Sequence, residues 1–375
     1  MCGIAGFYNP YADYTKEKSK WQSILDEMNR AQKRRGPDDD GTYLGSMCGL
    51  AHVRLEIIDL LTGHQPMVRK NNGRECAVIF NGEIYNMKEL KAELLSEGAA
   101  FDTTSDTEVI LTGYMLHGKD YVKKLNGIFS IALWDCALGQ IFLFRDRLGV
   151  KPLFYTVKDK TLIFSSEIKG LFAYPGVKPV LDRDGLCEIF ALGPAKSYGK
   201  GVFKDIWEVL PGHCLTFNGT DCVTEAYWQL ESRPHEDNLE KTVEKTAWLV
   251  EDAVKKQMLS DIPISTFLSG GVDSSLVTSI CARELKKQGK ILNTFSFDFH
   301  DNSKYFKSNS FQPSQDRPYV EQMVEYCGTN HHFLECGNEE QLEYLYKAVD
   351  ARDLPCMADV ESSMLYFCSK VTDYN

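Results

Sequence analysis

Apolar residues recur along this chain with two different periods, and the periods predict where strands and helices lie. The runs 3–8, 49–54 and 76–80 are short, apolar and rich in β-prone residues, so we expect three strands. Helical spacing of i, i+3, i+4 and i+7 is shown by Trp21, Ile24, Leu25 and Met28. This amphipathic helix should end before Gly36-Pro37, because proline cannot continue a helix.

Turn and cap residues separate the next predicted elements. The strand at 76–80 runs into Asn81-Gly82, and a helical pattern begins at Asn86, so residues 81–86 are predicted to form a strand-to-helix loop. Residues 105–108, Ser-Asp-Thr-Glu, fit a capping box ahead of a helix at 109–116. In that case Asp106 would have only a structural role, in which its charge interacts favourably with the helix dipole.

The second half alternates between strand and helix patterns. Predicted strands are 262–268, which should be buried on both faces, 291–297 and 332–334, and predicted helices are 239–257, 276–285, 319–327 and 340–349. Such alternation is typical of a parallel, doubly wound sheet that binds ligands at the carboxyl ends of its strands. The polar stretch 231–238 predicts a boundary between a domain at 1–230 and a domain at 239–375. Residues 302–318 are polar and predict a mobile loop.

Composition narrows the class of protein. The chain has 375 residues, 43% of them hydrophobic and 25% charged, which suits two soluble globular domains. Its net charge of −11 argues against nucleic acid as a partner. No apolar run is long enough to span a membrane and the N-terminus has no secretory pattern, so we expect a cytoplasmic protein. The 12 cysteines contain no CxxC pair, which argues against a zinc site.

A glycine- and serine-rich turn at 269–275, SGGVDSS, lies between a predicted strand and a predicted helix. Its glycines let the backbone approach an anion closely, and the helix N-terminus adds partial positive charge, so the turn suits phosphate. Asp273 suits a Mg²⁺ ion that carries pyrophosphate. An ordinary capped turn remains the alternative. The string resembles the pyrophosphate loop of the N-type ATP pyrophosphatases, a group that also includes tRNA-modifying enzymes, guanylate synthetase and NAD synthetase.

Cys2 becomes the first residue if Met1 is removed. Its thiol and the α-amino group then belong to one residue, and an amine with a pKa of about 7.7 to 8.0 can accept the thiol proton. A plain cysteine near a flexible terminus is the alternative, although the predicted strand at 3–8 would hold it in a sheet. At the end of another strand, the Asn81 amide and the Gly82 N–H have the donors of an oxyanion hole, and a simple turn is the alternative.

Several motifs in a fixed order resemble one family. The motifs are MCGI, RRGPD, AHVRLEIIDL, NGEIYN, SDTEVIL, LNGIFSIALWD and FRDRLGVKPLFY, and together they cover residues 1–155. They are similar to the class II glutamine amidotransferase domain. LPGHCLTF at 210–217, Tyr227-Trp228 and SGGVDSS extend the resemblance to the glutamine-hydrolysing asparagine synthetases along the whole chain. Glutamine PRPP amidotransferase and glucosamine-6-phosphate synthase share the first domain type but have other partner domains.

The resemblance implies a fold and a set of roles. The first domain would have the α+β N-terminal-nucleophile fold, two antiparallel sheets between helical layers (αββα), and the second would be a truncated α/β parallel-sheet ATP pyrophosphatase domain. The catalytic residues would be Cys2, Asn81 and Gly82. Glutamine would be bound by Arg54, Ile57, Ile58, Asn81, Gly82, Glu83 and Asp106. ATP would be bound by Leu268, Ser269, Gly270, Gly271, Asp273, Ser274, Ser275 and Phe297, with Asp273 also on Mg²⁺.

The implied reaction joins two chemistries. Glutamine hydrolysis at Cys2 would supply ammonia to β-aspartyl-AMP, which forms from aspartate and ATP with Mg²⁺. Two alternatives stay open: amidation of another carboxylate, and glutaminase activity alone. The chain ends about where a second acidic loop of the family would follow, so we expect a fragment that hydrolyses glutamine and makes no asparagine. Its partners would be small-molecule substrates, and the resemblance leaves a homodimer open.

Overall fold

The computed structural model describes residues 1–374 except 72, 194, 311, 312, 356 and 357, and for residues 358 and 359 it describes the backbone alone. The described chain divides into two compact units, Met1–Ser232 and Arg233–Asn375. Each unit has its own sheets and helices. None of the described helices is long and apolar enough to cross a membrane.

The first unit contains two six-stranded antiparallel sheets. One sheet has the strand order β10-β8-β9-β1-β3-β2 and the other has the order β12-β11-β7-β6-β5-β4. The strands are β1 Gly3–Tyr8, β2 Asp39–Leu44, β3 Cys48–Arg54, β4 Met67–Asn71, β5 Arg74–Ile84, β6 Gly127–Asp135, β7 Gln140–Arg145, β8 Phe154–Lys158, β9 Thr161–Ser165, β10 Trp207–Glu208, β11 His213–Phe217 and β12 Cys222–Ala226.

Helices cover the outer faces of these sheets. They are α1 Lys18–Ala31, α2 Met87–Ser96, α3 Asp106–His117, α4 Ile168–Phe172 and α5 Arg183–Leu192, with 3₁₀ turns at Tyr14–Glu17, Lys33–Arg35 and Lys119–Lys124. α1 packs on β1, β2 and β3, and α3 packs on β4 and β5. Side chains from both sheets, such as Ile4, Leu50 and Ile79, form one buried core between them. This is the expected αββα arrangement.

β1 lies in the middle of its sheet, between β3 and β9, and its six residues are all buried. The predicted strand at 3–8 is therefore confirmed. The predicted helix around Trp21 is also confirmed, since α1 buries Ile24, Leu25 and Met28. A central strand is held by hydrogen bonds on both sides, so the residue just before it, Cys2, has a fixed position.

Two local predictions in the first unit were wrong. The strand predicted at 76–80 continues to Ile84, because β6 pairs with it as far as Ile84 opposite Gly127, so Asn81 and Gly82 lie inside a strand. The capping box is only half present. Ser105 caps the Thr107 N–H at 3.2 Å, but Glu108 accepts the N–H groups of residues 102 and 103 instead.

The second unit is built on a parallel sheet, with order β13-β14-β15. Its elements are α6 Leu239–Gln257, β13 Ser265–Phe267, α7 Val272–Lys287, β14 Asn293–Phe299, α8 Asn302–Tyr305, α9 Arg317–Cys327, β15 Asn330–Cys336, α10 Asn338–Arg352 and α11 Ala358–Val371, followed by a 3₁₀ turn at Thr372–Tyr374. The expected alternation of parallel strands with helices is confirmed.

Helices lie on both faces of this sheet. Thr266 of β13 bonds Thr278 of α7 at 2.9 Å, whereas the next residue, Phe267, packs against Phe367 of α11. Adjacent residues of a strand point to opposite faces, so α7 and α11 cover different sides. The strand predicted at 262–268 is shorter than expected, and half-exposed Phe267 shows that it is not buried on both faces. The predicted mobile loop at 302–318 contains α8, while residues 311 and 312 lie outside the described residues.

Candidate active site

A pocket in the first unit, with about 510 Å³ of empty space, brings together residues that are far apart in sequence. Around it lie all the side chains predicted for the glutaminase reaction: Cys2, Arg54, Ile57, Ile58, Asn81, Gly82, Glu83 and Asp106. They come from the start of β1, the end of β3 and the segment after it, the end of β5, and the start of α3. The fold therefore gathers the predicted glutamine site into one cavity.

Cys2 is held in place by its neighbours on two sides. The Arg35 side chain donates from Nε to the Cys2 carbonyl at 2.8 Å. Leu55, the residue that follows β3, approaches the thiol from the other side. Its N–H lies 3.5 Å from Sγ and its carbonyl lies 3.7 Å from Sγ. The thiol is thus directed into the pocket by backbone groups that cannot easily move.

Burial makes the Cys2 thiol a weak acid. Desolvation raises its pKa, and the hydrogen bond from the Leu55 N–H opposes that effect. A nearby base is therefore needed to form the reactive thiolate. Burial also lowers the pKa of the adjacent chain-terminal amine, on Met1, to about 6. The Met1 amine is therefore mostly neutral at pH 7.

Asn81 lies in the pocket with its amide buried and unpaired. Its side chain is 1% exposed, and neither Nδ2 nor Oδ1 has a hydrogen-bond partner within the described chain. An unpaired buried amide costs free energy of about 1 to 3 kcal/mol, so proteins rarely keep one without a reason. The Nδ2 group is a free donor at the wall of the cavity that also contains Cys2.

The neighbouring Gly82 is required by the close approach of β6. A Cβ atom at this position would lie 2.1 Å from the Ile128 carbonyl oxygen and 2.7 Å from the Phe129 Cα. Any larger residue would push β5 away from β6. The glycine therefore keeps the backbone of residue 82 at the pocket wall.

Arg54, at the end of β3, organises the segment that follows it. Its NH2 nitrogen donates to the Ile58 carbonyl at 3.2 Å and to the Asp59 carbonyl, and its NH1 nitrogen contacts the Glu56 carboxylate at 3.2 Å. Gly63 lies so close that its Cβ would be 2.4 Å from NH2. These contacts fix the guanidinium at the pocket wall, where a planar fork suits a carboxylate.

Two carboxyl groups, those of Asp106 and Glu83, also line the pocket. Asp106 is the first residue of α3, and its Oδ2 accepts the Ile84 N–H at 3.2 Å. Desolvation raises its pKa to about 7, and the hydrogen bond from Ile84 opposes that effect. Glu83 is less buried, and desolvation raises its pKa as well. A bound cation would favour the ionised form of both groups.

Gln65 and Lys151 are among the pocket residues that the sequence did not predict. Lys151 lies in the motif FRDRLGVKPLFY, which could have drawn attention to it. Its Nζ contacts Met1 Sδ at 3.0 Å, and desolvation lowers its pKa. Gln65 has no sequence signal, because only the folded chain brings it to the pocket.

The turn at 269–275 in the second unit has its own internal hydrogen bonds. Ser269 Oγ and Ser274 Oγ are 3.0 Å apart, and Ser274 Oγ donates to the Gly271 carbonyl at 3.2 Å. Gly270 has a φ of +77° and lies against α9, where a Cβ would be 2.7 Å from Tyr319 Cβ. The turn leads directly into α7, which begins at Val272, so the N-terminus of a 16-residue helix faces the turn.

An apolar pocket, with about 930 Å³ of empty space, lies beside this turn. Of the residues predicted for ATP, Leu268, Ser269 and Phe297 line it. The others, Gly270, Gly271, Asp273, Ser274 and Ser275, lie in the turn and in the first turn of α7. Asp273 is exposed there. Across the described residues, no group of three or more His, Cys, Asp or Glu side chains could hold a metal ion.

Known protein families match both parts of the chain, and known relatives match nearly all of it. Residues 1–228 match the model of the glutamine amidotransferase domain, and residues 245–374 match the model of asparagine synthase. Asparagine synthetase [glutamine-hydrolyzing] 3 of Bacillus subtilis is 43% identical over 372 residues, which are 99% of this chain and 60% of that protein. A putative asparagine synthetase [glutamine-hydrolyzing] 2 of Methanocaldococcus jannaschii is 36% identical over 367 residues, with 92% of this chain and 67% of that protein covered.

The chain thus spans 60% of the length of the Bacillus relative. Among solved structures, glutamine PRPP amidotransferase from B. subtilis gives a TM-score of 0.44 at 15% identity and covers 89% of this chain and 81% of that chain. Both domain models match in the expected order, and the first covers more than half of the chain. The chain therefore belongs to the family of glutamine-hydrolysing asparagine synthetases, with a glutamine amidotransferase domain followed by an asparagine synthase domain.

Proposed function

We propose that the first unit hydrolyses glutamine at Cys2 and that the ammonia is used to make asparagine from aspartate and ATP. The observation that carries the glutaminase step is the buried Asn81 amide, unpaired within the described residues, in the pocket that also holds the partly buried Cys2 thiol. The family supplies the second step, since the relatives are named as glutamine-hydrolysing asparagine synthetases. We also propose a cytoplasmic location, where the Cys2 thiol stays reduced.

The glutaminase reaction begins after removal of Met1. The Cys2 α-amine takes the thiol proton, and the thiolate attacks the amide carbon of glutamine to form a tetrahedral intermediate. The Asn81 Nδ2 group and the Gly82 N–H donate to the negative oxygen. Ammonia leaves with the proton that the amine returns. Water then hydrolyses the thioester, which releases glutamate and restores the thiol.

The charged groups around the pocket select an α-amino acid. The Arg54 guanidinium pairs with the α-carboxylate, and the ionised Asp106 and Glu83 receive the α-ammonium. Backbone groups of Ile57 and Ile58 complete the pocket wall. A simple amide without these charges would leave buried ionic groups unpaired, which disfavours its binding.

The second unit is the proposed site of ATP-dependent activation. Leu268 and Phe297 offer an apolar surface for a nucleotide base, and the turn at 269–275 with the N-terminus of α7 suits its phosphates. Asp273 at the start of α7 is the proposed Mg²⁺ ligand, since its carboxylate is exposed and carboxylate oxygens are typical ligands of this ion. With Mg²⁺, ATP supplies the adenylate that makes the aspartate carboxyl reactive.

Replacement of Cys2 tests the glutaminase proposal. The Cys2→Ala chain should release no glutamate from glutamine, because no other group can form the thioester. Cys187→Ala, which removes an exposed thiol from α5, is the matched control and should keep full activity. Glutamate release by Cys2→Ala at the control rate would overturn the assignment.

A second assay separates the three candidate reactions. The protein is incubated with glutamine, aspartate, ATP and Mg²⁺, and glutamate, asparagine and pyrophosphate are measured separately. Asparagine formation supports the full proposal and would overturn the expectation that this 375-residue chain makes no asparagine. Glutamate alone supports a glutaminase. In parallel incubations that replace aspartate with other carboxylates, pyrophosphate release that depends on the added carboxylate supports an amidotransferase with another acceptor.

A further inference from the structure

The backbone of Phe80, the residue before Asn81, pairs with Ile131 of β6 on one edge of β5, and its N–H and carbonyl are bound by side chains. The ladder between β4 and β5 ends at the pair Met67 and Val78. Two residues further on, the Phe80 N–H donates to Gln65 Oε1 at 2.7 Å, and the Phe80 carbonyl lies 3.1 Å from His52 Nε2. Desolvation lowers the pKa of His52 to about 3, so the ring is neutral and donates through Nε2. Both polar groups of this residue are therefore satisfied in the core.

The other end of the Gln65 amide reaches the start of α3. Its Nε2 donates to Thr107 Oγ1 at 3.1 Å, and the Thr107 N–H is capped by Ser105 Oγ at 3.2 Å. Thr107 follows Asp106 directly, so its position sets the position of the Asp106 carboxylate. Gln65 is 4% exposed, and both of its bonds lie in the protein interior, where water does not compete for them.

The backbone of Gln65 is itself anchored against β2. A Cβ atom on Gly41 would lie 2.2 Å from the Gln65 carbonyl oxygen, so the two backbones are in direct contact. One residue earlier, His64 Nδ1 lies 2.6 Å from Asp39 Oδ2. The Gln65 amide therefore extends from a fixed base and spans the space between β5 and α3.

We infer that Gln65 is a positioning residue of the glutaminase site, and this inference rests on the proposed function. One amide group fixes the strand that carries the Asn81 oxyanion donor and the helix that carries the Asp106 carboxylate. The distance between these two groups must match the distance between the side-chain amide and the α-ammonium of glutamine. Gln65 keeps that distance constant without touching the reacting atoms.

Gln65→Met tests this role, because it keeps the side-chain length and removes both hydrogen bonds. We expect kcat for glutamine to fall at least 10-fold and KM to rise, since a small misplacement of catalytic groups is costly. Alkylation of Cys2 by iodoacetamide needs neither Asn81 nor Asp106, so its rate should stay within about twofold of the parent. Gln140→Met is the matched control, because the side chain of Gln140 on β7 also makes two hydrogen bonds, both donated to backbone carbonyls, but lies outside the pocket.

Two further variants keep the inference testable if Gln65→Met does not fold. Thr107→Val removes only the α3 end of the bridge and should raise KM more than it lowers kcat. Thr107→Ser restores the hydroxyl and should recover most of the loss. The inference would be overturned if kcat and KM were the same in Gln65→Met as in Gln140→Met, or the same in Thr107→Val as in the parent. Either result would leave the proposed function standing. Absence of glutaminase activity in the unsubstituted protein would overturn the proposed function as well.

Discussion

The carboxylate of Asp106 accepts a hydrogen bond from the backbone N–H of Ile84 at 3.2 Å, which joins the first residue of α3 to the last residue of β5. The carboxylate is 5% exposed, and the backbone N–H groups of residues 106 and 107 also act to lower its pKa. Burial raises its pKa to about 7, so the folded protein holds the ionised form at a cost in free energy. A bound ammonium group would remove that cost, which fits a substrate role better than a purely structural one.

Asp106→Asn should weaken glutamine binding without reducing stability. Asparagine can still accept the Ile84 N–H, and Ser105 still caps the helix, so the fold keeps its bonds. The folded pKa of Asp106 is above its unfolded value of about 3.9, so ionisation lowers the free energy of unfolding as pH rises from about 4 to 7. The variant should therefore be at least as stable as the parent at pH 8, as measured by urea unfolding.

Asp135→Asn is the matched control for that measurement. Asp135 is also buried, but hydrogen bonds from Arg74 and Tyr114 outweigh desolvation and lower its pKa. Its stabilising effect is present above the unfolded pKa of about 3.9 and is lost as pH falls through the lower folded value. The control should lose about 1 to 3 kcal/mol of stability at pH 8. Equal losses in the two variants would contradict the substrate role of Asp106.

Glutamine affinity should depend on the ionisation of Asp106. In Cys2→Ala, which binds glutamine without turnover, the affinity should rise as pH increases through about 7, because only the ionised carboxylate attracts the ammonium group. Calorimetric titration from pH 6 to 8.5 would measure it. The double variant Cys2→Ala/Asp106→Asn should bind more weakly and lack this dependence, and an unchanged pH dependence there would assign it to another group.

Asn81→Ala should separate catalysis from stability. The Asn81 amide has no hydrogen-bond partner among the residues that the structure describes, so its removal breaks none of the described bonds, and we expect the free energy of unfolding to stay within about 1 kcal/mol. Loss of an oxyanion donor should lower kcat about 100- to 1000-fold. Asn29→Ala is the contrast, because the Asn29 amide donates to Gly41 and lies away from the pocket. It should lose stability and keep kcat, and the reverse result would remove Asn81 from the oxyanion hole.

The sequence predicted correctly those elements in which the pattern of apolar residues matches the pattern of buried positions. β1 and α1 carry unbroken or periodic apolar patterns, and both have the predicted type. The predicted loop at 81–86 was wrong for residues 81–84, which continue β5, whereas residues 85 and 86 form the turn before α2. An Asn-Gly pair signals a turn only when no partner strand overrides it. Here β6 pairs through Gly82, which is small enough to lie against the Ile128 carbonyl. Long-range pairing decided the outcome, and a local pattern does not contain that information.

The same limit explains which site residues were missed. Cys2 and Asp106 were found because motifs surround them, whereas Gln65 enters the pocket only through bonds to residues 80 and 107. In the second unit, β13 is shorter than its apolar pattern predicts, and Ile262 is exposed rather than buried in the strand. Apolar composition indicates burial on average, but it does not mark where a particular strand stops.

Gly63→Ala should impair glutamine binding through Arg54. The added Cβ would lie 2.4 Å from the Arg54 NH2 nitrogen and 2.9 Å from the Asp59 carbonyl, so the guanidinium must move. We expect KM for glutamine to rise about 10-fold with a smaller effect on kcat, because Arg54 binds substrate and does not touch the reacting amide. Gly45→Ala, where the new Cβ meets only the Tyr43 side chain, should leave KM unchanged. An unchanged KM in Gly63→Ala would argue against Arg54 as the carboxylate ligand.

Gly270→Ala tests the proposed nucleotide site in the second unit. Gly270 has a φ of +77°, which disfavours alanine, and the added Cβ would lie 2.7 Å from Tyr319 Cβ and 3.0 Å from the Val320 nitrogen. The turn must therefore shift, and ATP affinity with Mg²⁺ should fall at least 10-fold by equilibrium dialysis. Gly289→Ala is the matched control, because its φ is +71° but nothing lies within 4 Å of the new Cβ. The control should lose about 1 kcal/mol of stability and bind ATP like the parent. Glutamate release by Gly270→Ala should match that of the parent, since the glutaminase pocket belongs to the first unit. Equal ATP affinity in the two variants would show that the turn does not hold the phosphates.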